Sequence, residues 1–247
     1  MEPGRKLLSG GLVWHWQAWQ SRQLWSPAVQ LISKWLVNEQ ALQKYDSLLL
    51  IGASAGWMMS NQWLCQFKEI NTFDIDPLAA SLFKWNHGKI LHEKGIKLSC
   101  HTQDALAVLP QLLVQHPNAL IFFDNLLGQL RFTYNSLDAT EKKLKQLKSD
   151  LDGRTWGSLH DRMSGAIGQS STRQSINHPF YTKGFLKKDT EIQSWLMQMN
   201  ALSPWLDHLT QDVFPDETEV HNLTWAFNQN YWHWLQMGWV YGNRFPL

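Results

Sequence analysis

The sequence predicts an α/β fold: a mostly parallel sheet, a C-terminal antiparallel hairpin and an N-terminal helical extension. Three observations predict it. From Ser47 onward, strand-like apolar runs alternate with helical stretches of crossover length, the pattern of consecutive βαβ units. The first run, LLLI, ends in the glycine-rich turn GASAG at Gly52 to Gly56, which marks residues 46 to about 130 as a nucleotide-binding half-domain. Near the C-terminus two strand-like segments, VHNLTWAF and YWHWLQMGWVYG, flank the turn NQN, a hairpin signal. The boundary falls at residue 46, with residues 1–45 as the extension and 46–247 as the α/β domain.

Within the extension, Ser26 and Pro27 read as a cap and first helical residue. Val29, Ile32, Trp35 and Leu36 follow at helical spacing. Residues 1–20 fit a helix or a strand equally well. After LLLI and the turn, WMMSNQWLCQF reads as a helix and INTFDID as a second strand. Pro77 opens the helix LAASLFKWNHGKILHEKG, with His87 and His92 on its polar side. IKLSCHTQD is the third strand, ALAVLPQLLVQH the next helix and ALIFFDN the fourth strand. LDATEKKLKQLKSDLDG is a charged helix with Glu141 four residues before Lys145. WGSLHDRMSG is the fifth strand, and GAIGQSSTRQSINHPFYTKG reads as a long loop or lid. A helix then runs from Asp189 to Met199 before the closing hairpin. The crossovers are expected to be right-handed.

Composition narrows the function classes. Twenty-two basic residues against 21 acidic ones leave a formal charge of +1, so no broad basic field exists to hold nucleic acid. Two cysteines, Cys65 and Cys100, are too few for a disulfide framework or a cysteine-rich metal site. The ten histidines show no ligand spacing, and no metal site is expected. Glycine, His15 and Gln17 interrupt the apolar start, and no run reaches the roughly 18 apolar residues of a membrane span. A cytoplasmic protein is expected. The fifteen tryptophans read first as packing residues, with an aromatic-lined pocket as the alternative.

The turn gains meaning from the acids beyond it. Glycine lets a ligand approach the backbone closely, and Gly52, Ser54 and Gly56 mark its tight part. Asp74 stands 22 residues after Gly52 at the end of the second strand, where a carboxylate can accept both hydroxyls of a ribose. Asp104 ends the third strand and can meet the amino group of an adenine, or it can cap the helix that follows.

In order and spacing, LLLIGASAG, FDIDP, TQDAL and FFDNLLGQL resemble the first four motifs of class I S-adenosylmethionine-dependent methyltransferases. The closing hairpin is similar to that family's sixth and seventh strands, and the resemblance covers most of residues 46–240. It implies a seven-stranded Rossmann-like methyltransferase sheet and S-adenosylmethionine as cofactor. It maps Gly52, Ala53, Ser54 and Gly56 to the methionine end of the cofactor, Asp74 to its ribose, and Ile75, Asp104 and Ala105 to its adenine. Asp124, Asn125 and Gln129 map beside the transferred methyl group. Two departures stand out: Leu50 occupies the position, two before the first glycine, where the family usually has an acid, and Ser54 replaces the middle glycine.

Methyl transfer requires an aligned acceptor and, for some acceptors, removal of a proton. The polar candidates at the ends of the fourth and fifth strands are Asn125, Gln129, His160, Asp161 and Arg162. His160 is the candidate base and Asp161 its positioning partner, although a His-Asp-Arg run can equally be a structural ion-pair cluster. His178-Pro179 and Phe180-Tyr181 lie in the expected lid. The expected acceptor is a small molecule or a protein side chain. No Asn-Pro-Pro-Tyr-type tetrad follows the fourth strand, so amino-group methylation of a base gains no support. Three alternatives remain. A catalytically inactive binding or scaffold domain is compatible with Leu50. GASAG fits the nucleophile elbow G-x-S-x-G, with Ser54 as nucleophile, Asp161 or Asp216 as acid and His221 or His233 as base. Too few strands precede that elbow for a hydrolase, and the closing hairpin argues against a nicotinamide dehydrogenase.

Overall fold

The computed structural model describes residues 11–134, 136–168, 172–185, 189–202 and 204–242. Two compact units emerge, and they divide after Asp124. Val29–Asp124 belongs to the first unit together with the chain up to Arg22; Gln23–Ala28 joins the second, which continues from Asn125.

The first unit opens with α1 (Gly11–Asn38), a helix far longer than its start signals at Ser26 and Pro27 suggested. Pro27 sits inside it. The ring costs the helix one N–H bond but does not end it, because Ala18, Trp25, Ala28, Ile32 and Leu36 bury an apolar stripe on both sides of the proline. Strand β1 (Ser47–Ile51) is apolar and wholly buried from Leu48 on, as a strand covered on both faces must be. It pairs in parallel with β2 (Glu69–Asp74) on one side and β4 (Leu120–Asp124) on the other, and β2 pairs in parallel with β3 (Lys97–Thr102). The local order is therefore β3-β2-β1-β4. Between strands lie α2 (Asn61–Leu64), α3 (Ala79–Phe83), α4 (Lys89–Glu93) and α5 (Leu109–Gln115). Helix α2 is shorter than the predicted one: Ser60 caps it by accepting from Trp63 N, which starts the helix only there. A π-helical turn, Lys84–Gly88, joins α3 to α4. Trp63 anchors this core, with its ring 5.2 Å from Phe122 and 5.4 Å from Phe67.

The second unit holds α6 (Leu126–Thr133), α7 (Leu137–Asp150), β5 (Trp156–Ala166), α8 (Thr172–Asn177), β6 (Tyr181–Phe185), α9 (Asp189–Gln198), β7 (Leu206–Asp207), β8 (Glu219–Ala226) and β9 (Tyr231–Val240). Strand β9 pairs antiparallel with both β5 and β8, β6 pairs with β8, and β7 pairs with β5. The segment expected as a loop or lid is thus partly regular. Phe180 packs on Trp234 and donates its N–H to Thr224 Oγ1, and from Tyr181 the chain joins the sheet. Its loop assignment at residues 169–171 lies outside the described residues. Trp195, Trp232 and Trp234 form the core between α9 and the sheet. Most tryptophans do pack, but Trp16, Trp19 and Trp85 are exposed.

The two units carry the halves that the motifs implied: a parallel 3-2-1-4 half, and a fifth strand followed by two closing strands whose last member lies against the fifth. This is a Rossmann-like α/β fold with closing antiparallel strands, to which β6 and β7 are additions. Among the described residues, no helix is long and apolar enough to cross a membrane.

Candidate functional site

Strand register brings the first set of candidates together. Ile51 pairs with Phe73 and with Phe123, so the chain leaves β1 at Gly52 level with Asp74 and Asp124. Gly52, Ser54 and Gly56 all have positive φ, of 74°, 46° and 70°. The turn folds back on β2, with Gly52 N donating to Phe73 O and Ser54 N donating to Asp74 Oδ2 at 2.7 Å. Asp74 Oδ1 accepts from Asp76 N at 2.8 Å. Burial lifts the Asp74 carboxyl above its ordinary range, against the pull of these two N–H bonds.

Gly56 is held for a steric reason. A Cβ there would stand 2.4 Å from His87 Nε2 and 2.9 Å from Phe83. His87, expected on a polar helix face, is buried instead; its Nδ1 lies 2.7 Å from Asn61 Oδ1 and its Nε2 3.2 Å from Gly56 O. Asn86 Nδ2 donates to Ala55 O at 2.8 Å. Both residues belong to the π-helical turn, whose extra residue re-aims consecutive side chains at the carbonyls of the glycine turn. No periodicity signals such a turn, which is why Asn86 and His87 escape detection in the sequence.

The start of α1 also meets this turn. Gly11 N donates to Asp76 Oδ2, His15 Nε2 lies 3.0 Å from the same oxygen, and Trp14 Nε1 donates to Ser54 Oγ at 3.4 Å. Burial pushes the Asp76 carboxyl up, but the N–H groups of Leu78 and Gly11, together with His15, outweigh it and hold Asp76 below its ordinary value. The partner of the Ser54 hydroxyl is an indole N–H, a donor that cannot take a proton, so this contact does not activate the serine as a nucleophile.

Beyond the strands, Ile75 is 67% exposed, an apolar side chain presented to solvent directly after Asp74. Ala105 is buried, and Asp104 accepts from Leu106 N and Ala107 N, both on Oδ1. These bonds close a turn rather than cap a helix: the helix expected from Ala105 starts only at Leu109, after Val108, and Asp104 lies outside it. Asp124 is buried with no hydrogen-bond or ion-pair partner among the described residues, and burial with Asp74 nearby pushes its carboxyl up to about 8.

In the second unit, the His-Asp-Arg run separates. Successive strand residues face opposite ways, so His160 and Asp161 cannot work as a pair. His160 is fully buried against Phe214, with Nδ1 2.9 Å from Ser158 Oγ, and burial pushes it down to about 3. It is a neutral core histidine. Asp161 faces the other way and gathers the polar candidates. Its Oδ2 accepts from Asn125 Nδ2 at 3.0 Å and Gln129 Nε2 at 3.2 Å, and its Oδ1 lies 2.7 Å from His233 Nδ1. Asn125 Oδ1 accepts in return from Asp161 N at 2.9 Å. Burial alone would raise Asp161; His233 foremost, with His208 and Asn125, outweighs it and holds the carboxylate at about 2. The register shifts between Asp161 and Met163, so that Arg162 sits at a bulge, and its guanidinium turns to Asp207 and Gln211. His233, named from sequence only as a possible hydrolase base, is the actual partner of Asp161. Trp225, Phe227 and Tyr231 surround its ring with centroids at 4.8, 5.4 and 5.5 Å.

No protein-family model matches the sequence, and no curated protein matches it. Solved structures do resemble it in shape. One is an O-methyltransferase family protein from Burkholderia thailandensis, 9% identical over 92% of this chain and 59% of that one, with a TM-score of 0.41. The chain thus spans less than two thirds of the length of that protein. Magnesium protoporphyrin IX methyltransferase from Synechocystis PCC 6803, solved with bound SAH, is 14% identical over 92% of this chain and 87% of that one, with a TM-score of 0.47. The N-methyltransferase NodS from Bradyrhizobium japonicum WM9 is 11% identical over 96% and 93%, with a TM-score of 0.41. Likenesses this distant leave function to be argued from the residues of the site.

Proposed function

We propose that the chain is an S-adenosylmethionine-dependent methyltransferase acting on a small-molecule or protein acceptor, in a cytoplasmic setting. One observation carries the reading: the turn at Gly52, the carboxyls of Asp74 and Asp124 and the exposed Ile75 meet at the carboxyl ends of adjacent parallel strands, where such sheets bind ligands. The residues fit an adenosyl cofactor. Each Asp74 oxygen accepts one backbone N–H and keeps a lone pair for a ribose hydroxyl. Ile75 offers an apolar surface to adenine, and Asp104, whose bonds to Leu106 N and Ala107 N both fall on Oδ1, offers Oδ2 to the amino edge. Gly52 lets the cofactor approach backbone that a side chain would cover.

When bound, the cofactor supplies a methyl group on an electrophilic sulfonium. The chain's own part on the acceptor side is proton management. With Asp161 on Nδ1, His233 is held in the tautomer that leaves Nε2 able to take a proton from a hydroxyl or amine. Asn125 and Gln129 fix the carboxylate that orients it.

Titration with S-adenosylmethionine in a calorimeter tests the reading. Heat of binding is expected for the native chain and a loss of at least tenfold in affinity for Asp74→Ala. A second reading, a binding domain without catalysis, draws on Leu50 and on the engagement of Asp76 and Ser54 by the start of α1. Absence of heat at millimolar ligand would favour it.

A further inference from the structure

We propose that Asp124 provides the negative charge for the α-ammonium group of the cofactor, replacing the acid absent at position 50. The inference rests on the adenosyl-cofactor reading above. Its starting point is that Leu50 is fully buried in β1, in register with Thr72 of β2 and Phe122 of β4. Paired residues of parallel strands point to the same face, and so do residues two apart on one strand. Two positions beyond Thr72 is Asp74, and two beyond Phe122 is Asp124. Both carboxyls therefore share the sheet face of Leu50, one strand to either side and one step nearer the ligand end.

The two carboxyls differ in what they hold. Asp74 accepts two backbone N–H groups and is committed to the turn. Asp124 is 92% buried, given its 8% exposure, and no described residue bonds or pairs with it. A buried carboxyl without a partner is costly and calls for an explanation. Burial and the facing charge of Asp74 both keep it protonated before ligand arrives. Among the described residues, His15 and Asp76 pair with each other beside Asp74. Strand β1 contributes none. A primary ammonium placed between Gly52 and Asp124 would supply the missing partner. The carboxyl would then lose its proton to solvent, and an ion pair would replace a neutral acid.

Proton release is the distinguishing readout, and it needs no methyl acceptor. Calorimetric titrations at pH 6.5, in phosphate and in Tris, measure protons exchanged per ligand from the difference in buffer ionisation heat. Three probes separate the terms: S-adenosylmethionine carries ammonium and sulfonium, S-adenosylhomocysteine ammonium only, and methylthioadenosine neither. The first two are expected to release close to one proton each and methylthioadenosine none. In Asp124→Asn the release disappears and the two amino-acid-bearing ligands weaken at least tenfold, while methylthioadenosine binds as before. Binding without proton release, release with S-adenosylmethionine alone, or an Asp124→Asn variant with undiminished preference for S-adenosylhomocysteine over methylthioadenosine overturns the inference while leaving the cofactor reading intact. Failure of all three probes to bind the native chain overturns both.

Discussion

Replacing Gly56 by alanine tests the packing of the glycine turn directly. Two costs add. At φ of +70° an L-residue is in the left-handed region, which costs about 1–2 kcal/mol. The new Cβ would stand 2.4 Å from His87 Nε2, 2.8 Å from His87 Cδ2 and 2.9 Å from Phe83 Cε2. All three contacts require movement, and His87 cannot swing away without releasing Asn61 and the carbonyl of Gly56. Overpacking of this kind costs a further ~1–3 kcal/mol. The sum is roughly 2–5 kcal/mol by these two contributions. Gly95 is the internal control: its φ is +71°, but a Cβ there meets nothing within 4 Å, so Gly95→Ala carries only the backbone cost. Urea unfolding of the three proteins, followed by far-ultraviolet circular dichroism and compared at equal m-value, measures the difference. Gly56→Ala is expected to unfold at clearly lower urea than Gly95→Ala. Equal midpoints for the two variants would refute the argument that His87 and Phe83 close on this turn.

Two further predictions concern charge. Asp161 has a folded pKa near 2, below its unfolded value, so its contribution to stability is fully present above pH 4 and is lost as pH falls through about 2. Asp161→Asn should therefore destabilise the chain at pH 7 by about 1–3 kcal/mol, the usual cost of leaving buried hydrogen-bond partners unsatisfied, and should show a shallower stability loss between pH 4 and pH 2 in acid-unfolding curves. Asp124 has the opposite sign: its folded pKa is raised to about 8, so the folded chain holds a proton that the unfolded chain releases, and stability falls as pH rises from about 4 to 8. Asp124→Asn is expected to be more stable than the native chain at pH 8 and nearly equal at pH 4, as read from thermal melts at both pH values; a variant less stable at pH 8 would contradict the burial argument.

Sequence alone was sufficient for the parallel half of the sheet, because continuous apolar runs such as LLLI and ALIFF have one stable use in a chain of this composition: strands buried on both faces. It also located Gly52, Asp74, Asp104 and Asp124, since strand ends followed by glycine or acid are local signals. The closing hairpin was legible from its turn for the same reason. Less legible were features set by competition between local rules and packing. Ser26-Pro27 carries strong start signals, yet α1 runs through them because its buried stripe continues on both sides.

What only the tertiary structure decided is which side chains meet. His160 and Asp161 are neighbours in sequence but occupy opposite faces of β5, whereas His233 reaches Asp161 from 72 residues away through the β5–β9 pairing. The π-helical turn that sends Asn86 and His87 to the glycine turn has no sequence period of its own. Asp124 could be placed at a strand end from sequence, but its burial without a partner could not, because that depends on what the adjoining strands bring beside it. Local chemistry and periodicity determine strands, turns and their terminal acids; register and burial, which are properties of the assembled sheet, determine which of those groups are charged, paired or waiting for a ligand.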